Sequence, residues 1–201
     1  YSPKDNLSAA VVGLGTGVSA GILGAAKDVK DVTVLEISPK LSHTAPIFDA
    51  HTEKMSKNPK VQIIESDAFR YFTKTDKKFD LILSEPSNPW VMGVENLFTP
   101  KFYETVKGSM TEDGLFMQWT HMYSMNGIIL ATIIENLSAS FPYLQMYSIG
   151  TGDLGILASM KPINPIHLQQ RWQEDVLRQR HQVAGLYDPR ELDLMRLYTE
   201  K

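Results

Sequence analysis

Apolar runs and helix-like segments alternate along the first 160 residues of the chain. The apolar runs lack the polar alternation of a half-exposed strand and are typical of parallel strands that are buried on both faces. They cover residues 8–14, 31–36, 61–64 and 80–85, and predicted helices at residues 18–26, 43–55 and 69–72 separate them. This alternation predicts a mostly parallel sheet with helices on both faces.

The second half of the chain continues this pattern and then changes it. Thr99 as N-cap and Pro100 at the first helical position open a helix that ends near Gly108. After a predicted turn at residues 113–114, the pattern indicates a strand at residues 115–119 and a helix at residues 125–139. The last two apolar runs, at residues 144–149 and 154–158, flank the turn 150–153 and predict an antiparallel hairpin. The predicted sheet therefore has seven strands, mostly parallel, with a C-terminal antiparallel hairpin.

Residues 160–201 form a polar C-terminal segment that we predict to be helical. Leu168, Trp172 and Val176 repeat at helical spacing, which indicates a face that docks against the domain. Residues 192–197 indicate a last short helix. We expect one α/β domain over residues 1–201, with its core at about residues 8–159.

Composition and charge narrow the range of functions. The net charge of −3 and a pI near 6.0 give no electrostatic footprint for nucleic acid. There is no cysteine, which excludes disulfides and thiolate chemistry, and His51 has no second ligand at metal spacing, so no metal site is expected. No apolar run approaches the roughly 20 residues that cross a bilayer, so we expect a cytoplasmic chain without membrane contact of its own. The chain begins at Tyr1 rather than Met, so a soluble piece of a longer, membrane-fused protein is an alternative.

A glycine-rich loop, Gly13-Leu14-Gly15-Thr16-Gly17, joins the first strand to the first helix. Glycines allow a sharp turn and a close approach of the backbone to a ligand, and the helix N-terminus beyond them favours anionic or polar groups. Val18 stands where the dinucleotide pattern G-x-G-x-x-G needs its third glycine. The spacing G-x-G-x-G is instead that of S-adenosylmethionine-type enzymes.

Acids stand at the carboxyl ends of the next two strands. Glu36 lies 19 residues after Gly17, where a carboxylate can accept both hydroxyls of a ribose, and the alternative is a cap for the following helix. Asp67 can accept a hydrogen bond from an adenine amino group, while Ala68 offers a backbone N–H to a ring nitrogen. Asp67 is also a good N-cap for the next helix, and the two roles are compatible.

The fourth strand leads straight into Glu85. Pro86 and Pro89 then end any regular structure, because each fixes φ and removes a backbone donor. Open α/β sheets bind ligands outside the carboxyl ends of their strands, so an acid held there is a candidate for chemistry. The alternative is a helix cap or a loop acid in water. Right-handed crossovers bring the glycine loop and all three acids to this one edge, where Gln118 is a candidate polar wall.

Several stretches together resemble the spermidine synthases, or polyamine aminopropyltransferases, in the family's order and spacing. The likeness covers about residues 8–159 and is strongest to bacterial spermidine-synthase-like domains, some of which are fused to membrane-spanning segments. The stretches are Val11-Val12-Gly13-Leu14-Gly15-Thr16-Gly17, Val34-Leu35-Glu36-Ile37, Ser66-Asp67-Ala68-Phe69, Phe79-Asp80-Leu81-Ile82-Leu83-Ser84-Glu85-Pro86-Ser87-Asn88-Pro89-Trp90 and Asn96-Leu97-Phe98-Thr99.

The resemblance implies a Rossmann-like fold of the class I S-adenosylmethionine-dependent methyltransferases. It implies decarboxylated S-adenosylmethionine as the donor, or methylthioadenosine as the bound product, and Glu85 as the catalytic residue that takes the proton of an amine acceptor. The donor-binding residues that it implies are Gly13, Gly15, Thr16, Gly17, Glu36, Ile37, Asp67, Ala68 and Glu85. The acceptor-binding residues that it implies are Asn88, Gln118 and Tyr147.

The chain also departs from the family pattern. Thr16 replaces the aspartate of the usual G-G-G-D-G loop, and Glu85 and Asn88 replace both aspartates of the usual D-S-S-D-P stretch. The family's N-terminal β-hairpin domain, which covers the active site and helps to form dimers, is absent from these 201 residues, although a homodimer is compatible with the resemblance. Three hypotheses follow: aminopropyl transfer, methyl transfer from S-adenosylmethionine, and nucleoside binding without catalysis. Val11 stands where many methyltransferases carry an acid, which argues against the second.

Overall fold

An eight-stranded sheet forms the centre of the protein. The computed structural model describes residues 5–164, 172, 175–183 and 186–200. The strands are β1 Leu7–Val12, β2 Val29–Glu36, β3 Val61–Glu65, β4 Phe79–Ser84, β5 Met110–His121, β6 Tyr143–Ile149, β7 Asp153–Ser159 and β8 Arg196–Glu200. They lie in the order β3-β2-β1-β4-β5-β7-β6-β8. Strands β1 to β5 pair parallel to one another, and the pairs β5–β7, β6–β7 and β6–β8 are antiparallel. This arrangement confirms the predicted mostly parallel sheet with a C-terminal hairpin.

Helices cover both faces of the sheet, as predicted. They are α1 Val18–Ala25, α2 Pro39–Thr44, α3 Ala68–Lys74, α4 Pro100–Gly108, α5 Gly127–Ser140, α6 Asp175–Val183 and α7 Glu191–Met195, with 3-10 helices at Ala45–His51, Met55–Lys57 and Val94–Phe98. The face under α3, α4 and α5 holds an aromatic core that includes Phe72, Phe102 and Phe116. The face under α1 is built from smaller residues. A Cβ on Gly21 of α1 would lie 2.1 Å from the Thr52 carbonyl oxygen, so only glycine permits this close packing.

The predicted helix at residues 43–55 is wrong as one continuous element. The chain instead forms α2, which ends at Thr44, and then two 3-10 helices. Pro46 explains the break, because it has no backbone N–H with which to continue the hydrogen bonds of an α-helix. Between these two 3-10 helices, Glu53 and Lys54 adopt positive φ values of 53° and 54°.

The eighth strand was not predicted. Residues 192–197, predicted as a short helix, are divided between α7, which ends at Met195, and the start of β8. β8 pairs with β6, for example at Met146 and Tyr198, and so covers an edge that β6 would otherwise leave open. This pairing is a tertiary contact, and such contacts outweigh local propensity in strands.

Part of the predicted helical C-terminal segment lies within the described residues. Arg180 of α6 forms an ion pair with Glu53 at 2.7 Å, which ties α6 to the turn before β3. Trp172 is 3% exposed and its ring stacks at 3.9 Å on a histidine of α6, so this residue of the predicted docking stripe is buried. Leu168 and the side chain of Val176 lie outside the described residues. Across the described ranges, no helix combines the length and the apolar character needed to cross a bilayer.

Candidate active site

The register of the sheet aligns the predicted site residues along its carboxyl edge. One row of neighbours across four strands consists of Leu35, Val12, Ser84 and Gln118. The next residue on each strand belongs to a second row, which consists of Glu36, Gly13, Glu85 and Trp119. Asp67 lies two residues beyond the end of β3, at the same edge. The structure thus brings the glycine loop and the three acids to one side of the molecule.

The glycine loop needs its glycines for conformation and for space. Gly13, Gly15 and Gly17 have positive φ values of 90°, 52° and 86°. A Cβ on Gly13 would lie 2.7 Å from the carbonyl oxygen of Glu85, so glycine allows the ends of β1 and β4 to meet. Gly17 is the N-cap of α1 and provides no side chain to cap it, which leaves the first N–H groups of α1 for a ligand. Thr16 is exposed at the top of this loop.

Glu36 is held by backbone groups on both of its carboxylate oxygens. The side chain is buried, and its Oε2 accepts the Leu14 N–H at 2.9 Å. Its Oε1 accepts the Ser38 N–H at 2.8 Å, where Ser38 is the N-cap of α2. Glu36 therefore binds the backbone of both the glycine loop and the start of α2. The second of these bonds is the helix-capping role that was the alternative to ribose binding. Each oxygen has a further lone pair for a ribose hydroxyl.

An open cavity of about 720 Å³ lies between the start of α2 and α3, at the carboxyl end of β3. Ile37, Pro39, Asp67, Arg70 and Tyr71 are among the residues that line it. Ile37 is 71% exposed at this cavity, where its side chain offers an apolar surface to the flat face of a base. The cavity lies at the β3 side of the site, away from Glu85.

Asp67 is the N-cap of α3. Its Oδ1 accepts the Arg70 N–H at 2.7 Å, which is the capping role that the sequence left open. The carboxylate is exposed at the cavity, and its Oδ2 takes no part in the hydrogen bond to Arg70. Ala68 follows as the first residue of α3, where a backbone N–H has no partner within the helix.

Glu85 is a largely buried carboxylate one residue beyond β4. Its backbone N–H donates to the Val12 carbonyl at 2.9 Å, and its Oε1 accepts the Ser19 hydroxyl at 2.8 Å. Burial raises the pKa of the Glu85 carboxyl, and the Ser19 hydrogen bond lowers it by a smaller amount. The alternative of a loop acid in water does not fit this environment.

The loop after Glu85 is fastened to the segment that follows β5. Asn88 Nδ2 donates to the Tyr123 hydroxyl at 3.1 Å, and the rings of Trp90 and Tyr123 meet edge to face with centroids 6.2 Å apart. Asn88 Oδ1 is buried without a hydrogen-bond partner among the described residues. A buried acceptor of this kind is costly unless a ligand or water binds it.

The Gln118 side chain points to the opposite face of the sheet from that of Glu85. It is fully buried, and its Nε2 donates to the carbonyl oxygens of Trp119 at 3.0 Å and of Ser84 at 3.4 Å. Its Oε1 and the Ser84 hydroxyl are also buried without partners within the described part of the chain. The carboxyl ends of β4 and β5 therefore carry several polar atoms that can receive a hydrogen-bonding ligand or water.

Tyr147 is not brought next to Glu85. It lies on β6, three strands from β4, which corresponds to about 14 Å across the sheet. The side chain is 8% exposed and its hydroxyl donates to Gln145 Oε1 at 2.7 Å. A ligand that touches both Glu85 and Tyr147 has to be long.

Three residues of this edge, Ser19, His121 and Asp153, were not predicted from the sequence as part of the site. Ser19 binds Glu85, and His121 Nδ1 lies 2.8 Å from Asp153 Oδ1 on the same sheet face as Trp119 and Glu85. The period-two pattern of residues 115–119 extends to His121, and following it would have placed His121 on this face.

In the described ranges, no group of three or more histidine and acidic side chains is arranged to hold a metal ion.

Comparison with known proteins identifies relatives of this arrangement. The profile of the spermine/spermidine synthase domain matches residues 8–153. The chain is similar to the polyamine aminopropyltransferase of Buchnera aphidicola subsp. Schizaphis graminum, with 25% identity over 138 residues, 68% of this chain and 48% of that protein. It is 25% identical over 120 residues to that of Bacillus subtilis, covering 60% of this chain and 43% of that protein. The match thus spans less than half of the length of these relatives.

Solved structures share the fold at lower identity. A spermidine synthase in complex with the transition-state analogue AdoDATO superposes with a TM-score of 0.74 and 19% identity, over 94% of this chain and 70% of that chain. Human methyltransferase-like protein 13 in complex with SAH gives a TM-score of 0.69 and 18% identity, over 86% of this chain and 81% of that chain. These similarities confirm the Rossmann-like methyltransferase fold. With its sequence profile matched over residues 8–153, the chain belongs to the spermine/spermidine synthase domain family.

Proposed function

We propose that this domain transfers an aminopropyl group from decarboxylated S-adenosylmethionine to an amine acceptor. The observation that carries the proposal is Glu85, a largely buried carboxylate at the end of β4, in the same row as Gly13 and Glu36. Membership in the spermine/spermidine synthase domain family supports the reaction class. The curated relatives that share the match are polyamine aminopropyltransferases.

The donor would lie along the second row of the sheet edge. Glu36 would accept the ribose hydroxyls with the lone pairs that its backbone bonds leave open. Ile37 would cover one face of the adenine, and Asp67 and Ala68 would meet its polar edge. The glycine loop would then face the sulfonium end of the donor, near Glu85.

The reaction that this arrangement supports is a substitution at carbon. The acceptor nitrogen forms a new bond to the aminopropyl carbon while the carbon–sulfur bond breaks, and methylthioadenosine leaves with the electron pair. The nitrogen has to approach in line with the sulfur, at about 3–3.5 Å from the carbon. Glu85 takes a proton from the amine and stabilises the positive charge that develops there. Burial raises the pKa of Glu85 and so makes it a stronger base once it is ionised.

The acceptor is proposed to be an amine because the site offers acceptor oxygens to it. Asn88 Oδ1 is buried without a partner among the described residues and can receive an N–H group, whereas Gln118 Oε1 points to the opposite face of the sheet from Glu85. Tyr147 lies too far across the sheet to bind the same nitrogen as Glu85, so it would contact only the remote part of a long acceptor.

A transfer assay tests the proposal. The wild-type protein is incubated with decarboxylated S-adenosylmethionine or S-adenosylmethionine and a panel of amines, and release of methylthioadenosine or S-adenosylhomocysteine is measured. We expect methylthioadenosine with at least one amine, and a fall in rate on the order of 10²–10⁴-fold in Glu85→Gln. The matched control is Glu104→Gln, whose carboxylate binds Lys107 on the exposed side of α4.

Three results would contradict the proposal in different ways. Release of S-adenosylhomocysteine alone would indicate methyl transfer. Tight nucleoside binding without transfer to any amine would indicate a binding domain. A Glu85→Gln variant with the full wild-type rate would show that another group takes the proton.

A further inference from the structure

We propose that Ser19 is a positioning residue for Glu85, which fixes the direction of its carboxylate and keeps it ionised for proton transfer. This inference rests on the proposed function only for its catalytic consequence. Ser19 is the second residue of α1, immediately beyond the glycine loop. Its hydroxyl donates to Glu85 Oε1 at 2.8 Å. The element that carries the proposed donor site therefore also holds the proposed base.

The backbone of Glu85 is fixed independently of this bond. Its N–H donates to the Val12 carbonyl at 2.9 Å, and its own carbonyl oxygen lies so close to Gly13 that a Cβ there would approach to 2.7 Å. A glutamate side chain has three rotatable bonds beyond this fixed backbone. The Ser19 hydroxyl restrains them by binding one carboxylate oxygen, and Oε2 is left for the acceptor amine.

The same bond also acts on the charge of Glu85. A hydroxyl that donates to a carboxylate favours its ionised form, so the Ser19 bond lowers the pKa that burial raises. α1 and residues 81–94 carry no ionisable side chain other than Glu85. Along the edge, Glu36 lies on the far side of Gly13 and His121 lies beyond Trp119, and the Tyr123 hydroxyl binds Asn88 in the loop after Glu85. Ser19 is thus the group in direct contact that offsets the effect of burial.

Carbon-13 NMR titration of the glutamate side-chain carboxyls tests the inference without requiring turnover. The Glu85 signal is assigned by its loss in Glu85→Gln. We expect Ser19→Ala to shift the Glu85 titration to higher pH, and Ser19→Thr, which restores a hydroxyl, to leave it near the wild-type position. The matched control is Ser8→Ala, which removes another 2.8 Å serine–carboxylate bond, to Asp31, at the opposite end of β1.

Kinetics supply the second measurement. Ser19→Ala should lower kcat by about three- to tenfold, the usual net value of one hydrogen bond, and move the acidic limb of the rate profile to higher pH. An unchanged Glu85 titration in folded Ser19→Ala would overturn the inference, and so would an equal shift in Ser19→Thr, since packing rather than the hydroxyl would then be responsible. Failure of the proposed function would appear separately, as a wild-type protein without transfer whose Glu85 titration still responds to Ser19.

Discussion

At the scale of single residues, Glu36 and Glu85 at the sheet edge have different surroundings. Both carboxylate oxygens of Glu36 accept backbone N–H groups, at 2.9 and 2.8 Å. Glu85 is held by one serine hydroxyl, and burial raises its pKa. The proposed function gives donor binding to Glu36, whose carboxylate is fixed on both oxygens, and proton transfer to Glu85, whose Oε2 has no such restraint.

Glu36→Gln should weaken nucleoside binding. The amide turns one acceptor oxygen into a donor that faces a backbone N–H, of Leu14 or of Ser38, and the ribose loses a charged partner. A charge-assisted hydrogen bond contributes about 1.5–3 kcal/mol, so we expect the Kd for methylthioadenosine to rise by roughly 10- to 150-fold. Calorimetry measures the Kd, and thermal unfolding shows whether the loop is still folded. An unchanged Kd would contradict the ribose assignment.

Glu85→Gln should stabilise the protein at neutral pH. Since burial raises the pKa of Glu85 above its ordinary value of 4.5, the folded chain binds this proton more tightly than the unfolded chain. The stabilising contribution is complete below the unfolded pKa and is lost as pH rises through the folded pKa. The Tm difference between Glu85→Gln and wild type should therefore increase from pH 4 to pH 8. A difference that is independent of pH would mean that the carboxyl is not buried in this way.

At the scale of elements, the sequence predicted the strands and helices that depend on a local hydrophobic pattern. Continuous apolar runs identified the parallel strands, and their order placed Glu36, Asp67 and Glu85 at one edge. The predicted turn at residues 113–114 was wrong, because β5 continues through it with an irregular register opposite Phe79. The Ser19–Glu85 contact joins elements 66 residues apart and leaves no local pattern in the sequence.

Asp67 caps α3 and is also proposed to bind the adenine, and two substitutions separate these roles. Asp67→Asn keeps the N-cap of α3, because asparagine caps as well as aspartate, but it should weaken adenine binding. Asp67→Ala should lose the cap as well, at a cost of about 0.5–2 kcal/mol in the free energy of unfolding. Thermal unfolding and calorimetric affinity are measured for both variants. If Asp67→Asn keeps the wild-type affinity for the nucleoside, Asp67 serves only as the N-cap of α3.

At the scale of the whole molecule, the fold alone does not determine which donor is bound. The chain shares its fold with a spermidine synthase bound to AdoDATO and with a methyltransferase bound to SAH, and one fold can host different reactions. The two proposed donors differ by one carboxylate on the chain attached to sulfur. Glu85 lies at that end of the proposed site, and no cationic side chain of the described residues binds its carboxylate, so it should repel the carboxylate of S-adenosylmethionine.

Parallel calorimetric titrations with decarboxylated S-adenosylmethionine and S-adenosylmethionine test the central claim most directly. Wild-type protein should bind the decarboxylated donor at least about tenfold more tightly, because a like-charge contact costs 1.4 kcal/mol or more. In Glu85→Gln this preference should shrink, since the repelling charge is gone, while the Glu104→Gln control keeps it. Equal or tighter binding of S-adenosylmethionine by the wild-type protein would contradict the assignment of this site to aminopropyl transfer.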